Sequence, residues 1–240
     1  LDLLLAIYAY AVQIYCDFSA YSDMVIGVAA LLGYHFMRNF DQPYRSQSLQ
    51  EFWRRWHISL SSWLRDYLYI PLGGNRKGKV RTYVNLTITM LLGGIWHGAA
   101  WKFVLWGALH GGGLAVERAM GLADRPRATP WGRILAILII FHFVCFAWIF
   151  FRASSMENAL LVLQGLTRWG APLVLAKPYL LALIALGIAI NFTPRNLLGR
   201  LEIRIHRWPL IVQGVAAGLL VVLIESMGGD GVAPFIYFQF

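Results

Sequence analysis

Long apolar stretches alternate along the chain with short segments in which arginine and lysine collect. Residues 3–35 are apolar almost throughout, interrupted only by the polar cluster YCDFSAYSD at 15–23. This run exceeds the roughly 20 residues of one straight membrane-crossing helix, so it predicts a long or broken helix, or a tight helical pair. Residues 84–117 are apolar again, with Gly93, Gly94 and Gly98 near the middle. Further spans are predicted near 134–151, 178–192 and 209–225. Without repeats, low-complexity tracts or linkers, residues 1–240 read as a single membrane domain.

Between the first two apolar stretches lies a helical signal of another kind. In EFWRRWHISLSSWLRDYLYI (51–70), Phe52, Trp56, Leu60, Trp63, Tyr67 and Ile70 recur every three or four residues, while Arg54, Arg55, Ser61, Ser62 and Arg65 take the other side. An aromatic face opposite arginines predicts a helix lying in the membrane interface. His57 falls at the border of the two faces.

Composition strengthens this picture. The chain is 58% hydrophobic and 14% charged, against about 25% charged in soluble domains, which makes it an integral membrane protein. The net charge of +9 does not indicate nucleic acid, because the basic residues sit in loops between apolar spans. Nine of the 21 fall in 36–83, four in 118–133 (Arg118, Arg125, Arg127, Arg133) and four in 193–208 (Arg195, Arg200, Arg204, Arg207). By the positive-inside rule these loops are cytoplasmic. Residues 84–117 must then enter the membrane and return, as two short or tilted helices hinged near 97–101. Residues 152–177 and the C-terminal GGDGVAPFIYFQF are expected to be external or interfacial. Cys16 and Cys145 are isolated thiols in apolar runs, without a disulfide or metal pattern. The chain begins at Leu1 inside an apolar run, with no signal-peptide pattern, and reads as a piece of a longer protein. The expected fold is all-α: a polytopic transmembrane helical bundle with interfacial amphipathic helices.

His97, in LLGGIWHGAAW (91–101), is the leading candidate for chemistry. An ionisable ring at bilayer depth is costly and usually faces a bundle interior or wet cavity for a functional reason, and imidazole suits proton transfer near neutrality. The competing reading is packing, since GIWHG is itself a G-x-x-x-G contact motif. His57 alone reads more simply as a snorkelling interfacial group. Asp17 and Asp23 lie six residues apart and share no helix face, so pairing with an arginine, or orienting a histidine, is favoured over an acid–base dyad. PLGGNRKGK (71–79) mixes glycine with lysine but lacks the phosphate-binding G-x-x-x-x-G-K-[ST]. A cytoplasmic topology-anchoring turn is the default there, with contact to an anionic cofactor or to lipid headgroups as the functional alternative. His35, His110, His142 and His206 carry no pattern of their own. No metal-ligand spacing is found.

Three segments, YCDFSAYSDMVIGVAALLGY (15–34), NFDQPYRSQSLQEFWRRWHISLSSWLRDYLYIPLGGNRKG (39–78) and LLGGIWHGAAWKFVLWGALHG (91–111), together resemble the membrane-bound O-acyltransferase family. The similarity is strongest to its bacterial branch of alginate O-acetylation proteins, and to the C-terminal half of those longer chains; the motif core is 15–117. The terminal FIYFQF is similar as well. The resemblance implies that His97 is the catalytic histidine of the W-H-G motif and His57 the second signature histidine, of WHISLS. It further implies an acyl, specifically acetyl, group passing from a cytoplasmic activated donor (acetyl-CoA or another thioester, with no tightly bound cofactor) to hydroxyls of an exported polysaccharide such as alginate. Trp96 and Trp101 are expected to line the tunnel and exclude water, with Asp17 and Asn75 contacting substrate. The implied setting is the bacterial inner membrane, multi-pass, with a periplasmic or extracellular acyltransferase as partner. Two alternatives remain at this stage: an acyl relay to such an exported partner, and a proton-coupled transporter subunit using Asp17, Asp23 and His97.

Overall fold

The computed structural model describes residues 1–123, 129–168, 173–194 and 196–227. The C-terminal segment predicted to be external, and Arg125, Arg127 and Arg195 of the basic clusters, lie outside them. Among the described residues every regular element is helical. The chain forms two compact units, Leu1–Asn191 and a second that begins at Phe192.

In the first unit the long apolar run becomes one unbroken helix, α1 (Asp2–Leu31). The basic region supplies α2 (Leu49–Arg55) and α3 (Ile58–Leu64), followed by a π-helical turn at Arg65–Tyr69. The second apolar stretch folds as α4 (Lys79–Trp96) and α5 (Trp101–Ala119), parted at residues 97–100, where the hinge was expected. Then come α6 (Pro130–Arg152), α7 (Met156–Leu166) and α8 (Pro178–Ala189). The second unit holds α9 (Leu197–Ile205), with Arg200 and Arg204, and the apolar α10 (Leu210–Met227). Helix α7 was not foreseen within 152–177. It is capped by Ser155, whose Oγ accepts the Asn158 N–H, and it buries Ala159 against Ile149 and Phe150 of α6.

Two described helices, α1 and α6, are long and apolar enough to cross a bilayer; Pro178–Phe192 and Leu210–Ser226 are apolar but shorter. Helices α4 and α5 differ in kind. They bury Thr82, Asn85, Thr89, Lys102, His110 and Glu117 beside Met90, Phe103, Trp106 and Leu114, so their interior face mixes polar with apolar groups.

The single amphipathic helix expected over 51–70 is not found. The chain breaks at Trp56–His57, where His57 takes φ 43° and ψ 58°, the left-handed region, before α3 begins. The break turns Phe52, Trp53 and Trp56 into the core and leaves Trp63, Tyr67 and Ile70 exposed. The expected apolar stripe is therefore cut in two. Upstream, α2 starts where its sequence says it should: Ser48 Oγ accepts the Glu51 N–H at 3.0 Å, and Glu51 reaches back to accept the Gln47 N–H at 2.8 Å, close to a capping box.

Four residues link α4 to α5, so the pair runs antiparallel and in close contact. Backbone meets backbone along three glycines. A methyl group at Gly94 would overlap the Phe103 carbonyl oxygen, one at Gly107 the Met90 carbonyl oxygen, and one at Gly111 would lie 2.7 Å from Thr87 Cα. In an exposed helix, glycine to alanine gains about 0.5–1 kcal/mol. Here the sign should reverse: Gly107→Ala is expected to cost about 1–3 kcal/mol by overpacking. Gly112→Ala, whose added methyl meets nothing within 4 Å, should be neutral or stabilising. Thermal unfolding of both variants of the full-length protein in detergent checks the pair.

Candidate active site

A continuous aromatic cluster fills the centre of the first unit, built from α1, the 36–48 loop, α2, α4, α5 and α6. Trp56 packs on Phe40 (5.0 Å between ring centroids), Phe52 (5.6 Å) and Trp148 (5.1 Å). Trp148 meets Phe151 at 5.2 Å and Trp106 at 6.0 Å. The loop joins this core through Tyr44, whose hydroxyl donates to the Ala11 carbonyl of α1 at 2.6 Å and whose N–H donates to Asn191 Oδ1 at 3.1 Å.

His97 caps the C-terminus of α4 and sits at the edge of this cluster. Its ring meets Trp96 (5.0 Å), Phe151 (5.0 Å), Trp106 (5.2 Å) and Phe103 (6.3 Å), edge-on to the first three. Edge-to-face geometry is the favoured arrangement of such rings. His57 meets Phe18 of α1 at 4.6 Å and Trp96 at 6.3 Å. The two histidines, forty residues apart in sequence, therefore flank one indole. His57 is not the snorkelling surface group that its position in the pattern suggested. It is 9% exposed, and burial alone pushes its imidazole down to about 4, leaving a neutral ring able to accept a proton.

Of the other sequence candidates, Trp96 joins the two histidines while staying 57% exposed. Trp101 opens α5 at 78% exposure and shares none of the ring contacts described for His97. Asp17 is half-buried and Asp23 exposed; neither carboxylate forms the arginine pair expected of it among the described residues. Asn75 is exposed in the turn before α4. The neighbouring Gly74 carbonyl accepts the Asn85 side-chain N–H at 2.9 Å, so Asn75 lies beside the first half of α4, roughly 18 Å from His97 along the helix at about 1.5 Å per residue.

Residues beyond these candidates complete the arrangement. Helix α5 buries Phe103, Trp106, His110, Leu114 and Glu117, one stripe at helical spacing. His110 is fully buried; its Nδ1 accepts the Trp53 indole N–H at 3.3 Å, and its ring packs on Trp106 at 4.8 Å. Two turns further on, Glu117 accepts the N–H groups of Leu49 (2.6 Å) and Gln50 (3.0 Å), pinning the start of α2 to α5. The 3.6-residue period in 103–117 was the available signal, masked by the glycines around it. On the basic side, a cavity of about 350 Å³ is lined by Trp53, Arg54, Ser61, Ser62, Arg65 and Arg118, among others. Neither imidazole lines it, but Trp53 does, and Trp53 touches Trp106 at 5.7 Å, which packs on His97.

Residues 3–158 match the model of the MBOAT, membrane-bound O-acyltransferase, family. The chain belongs to this family. It is 54% identical over 158 residues to the "Probable alginate O-acetylase AlgI" of Azotobacter vinelandii, covering 66% of this chain and 31% of that one. It is 49% identical over 158 residues to the "Peptidoglycan O-acetyltransferase" of Helicobacter pylori (66% and 30%). Against the "Teichoic acid D-alanyltransferase" of Bacillus subtilis it is 30% identical over 166 residues (65% and 42%). The chain thus spans about a third of the length of its first relatives, matching their C-terminal part. Membership makes it a membrane protein, and the matched region contains the whole His57–Trp96–His97 arrangement of this MBOAT chain.

Because Glu117 holds two backbone donors of α2, Glu117→Gln, which keeps one acceptor oxygen, should destabilise the protein by about 1–3 kcal/mol. Denaturant unfolding with Glu117→Asp as a partial-rescue control measures it.

Proposed function

We propose that this chain forms the catalytic part of a membrane-bound O-acyltransferase that moves an acyl group, specifically acetyl, from a cytoplasmic thioester donor such as acetyl-CoA to a hydroxyl of an exported polysaccharide. The observation that carries this reading is the pair of histidines on either side of Trp96. The setting proposed is a polytopic protein of the bacterial inner membrane that works with an exported acyltransferase partner. Relatives named for alginate, peptidoglycan and teichoic acid support a cell-envelope glycan as acceptor, with alginate as the first candidate.

The chemistry asks little of the protein beyond placement and proton handling. His97, neutral among aromatic rings, takes the proton of the acceptor hydroxyl as its oxygen attacks the thioester carbonyl carbon. The C–O bond forms, the C–S bond breaks, and the departing thiolate takes the proton back from the imidazolium. His57, on the far side of Trp96, assists the second transfer. General base catalysis of this kind contributes about 10²–10⁴-fold. The surrounding rings keep water from the thioester, so that the acyl group reaches the acceptor and is not lost to hydrolysis. The cavity between α2, α3, α4 and α5 suits an anionic donor: Arg54, Arg65 and Arg118 stand at it, and Trp53 and Met90 among its walls are apolar.

With full-length protein in the native membrane, His97→Ala should reduce O-acetylation of the exported glycan at least 100-fold with unchanged protein abundance. Mass spectrometry of the isolated polymer reads the outcome, and undiminished acetylation would remove His97 from the reaction. Reversing charge with Arg54→Glu and Arg118→Glu should raise the donor KM about tenfold or more, as expected when phosphate-pairing cations become anions, and change kcat little. An unaltered donor KM would place the donor elsewhere.

A further inference from the structure

Residues 39–41 bracket the break at Trp56–His57. On one side the Asp41 N–H donates to the Arg55 carbonyl at 2.9 Å; on the other the Ile58 N–H donates to the Asn39 carbonyl, also at 2.9 Å. The Arg55 guanidinium tightens the first side, donating to the Asp41 carbonyl at 2.9 Å while pairing with Glu51 at 2.6 Å. Asn39 tightens the second with its side chain. Its Oδ1 accepts both the Ser59 N–H (3.1 Å) and the Ser59 hydroxyl (3.0 Å), and its Nδ2 donates to Ser22 Oγ on α1 at 3.3 Å. Ser22 lies one helical turn from Phe18, the residue against which the His57 ring packs.

His57 and Gln42 are the non-glycine residues at positive φ among the described residues. A side-chain-bearing residue keeps that conformation only where its surroundings over-determine it. Four contacts of Asn39 do so here: they fix the two residues after His57 and tie them to the helix that carries its ring partner. We infer that Asn39 is the positioning residue for His57, holding the left-handed backbone that directs the imidazole between Phe18 and Trp96. Its effect on catalysis rests on the role given to His57 above. Its effect on the placement of His57 does not.

The test therefore reads placement and turnover separately, in full-length protein. Placement is read by diethyl pyrocarbonate labelling of individual histidines, mapped by mass spectrometry, with exposed His206 and sealed His110 as internal standards. Asn39→Ala should label at His57 about tenfold faster than the parent, whereas Asn39→Asp, which keeps the Oδ1 acceptor, should stay within about twofold. Donor turnover should follow, with kcat falling in Asn39→Ala, KM unchanged, and recovery in Asn39→Asp. If His57 stays protected in Asn39→Ala, the inference is overturned whatever happens to turnover. If His57 labels quickly while turnover holds, Asn39 positions it as stated and the catalytic role of His57 falls. If Asn39→Ala does not fold, glycine at the strained position decides. Asn39→Ala combined with His57→Gly, which takes positive φ freely, should fold. Failure of that double variant as well would show that Asn39 supports something other than the His57 backbone.

Discussion

Backbone contact between α4 and α5 is the constraint on which the site depends. His97 ends one helix, and the rings that face it, Phe103 and Trp106, begin the other. Four residues of linker fix their separation only because Gly94, Gly107 and Gly111 let the two helices close without side chains between them. Helices in lipid gain little from burying apolar area against each other, and small residues that allow close approach take over that role. The same closeness lets α5 work as a strut. Trp106 meets His97 near its start, His110 holds Trp53 at its middle, and Glu117 pins α2 near its end.

The apolar pattern made the larger features legible. The long α1, one of three forms the run length allowed, the return of the chain at 97–100 and the apolar helices α6, α8 and α10 follow from run length, glycine placement and the alternation of charge. The residues of the site were legible in part. The break at Trp56–His57 was not, because WRRWHIS continues a helical period on both sides and no glycine or proline marks a stop. What ends the helix there is tertiary: Asn39 and Asp41, from a loop without periodic signal, capture the backbone on either side. His110 escaped for the opposite reason. Its helical phase with Trp106 and Glu117 was present, but a histidine in a glycine-rich run reads as packing until the indole that donates to it is located. Asn75 keeps the company of glycine and lysine, but the fold sets it beside Asn85 in the first half of α4, away from His97.

The paired charges on the basic side belong to the frame. Arg55 joins Glu51 and Asp41, and each oxygen of Glu117 accepts a backbone N–H. Arg54 and Arg118 enter none of the ion pairs found among the described residues, and both stand at the cavity. Cations that stabilise a fold are generally found with their partners; cations left at the mouth of an apolar hollow are suited to a ligand that brings its own negative charge.

Burial of an imidazole is not in itself a mark of chemistry here, and His110 shows why. It is more deeply buried than His57, lies in relaxed helix, and is sealed on every side by Phe52, Trp53, Trp106 and Phe143. Nothing can reach it, and it serves the cluster by accepting an indole N–H. His57 and His97 border the same cluster where it opens, at the half-exposed Trp96. His57 also holds a backbone conformation that costs of order 1–3 kcal/mol in a residue with a side chain. Glycine would occupy that position without strain, so a fold selected for stability alone has no reason to place an imidazole there. Access distinguishes His57 and His97, the pair proposed to react, from the third, sealed histidine, and strain adds to this at His57, although all three sit among the same rings.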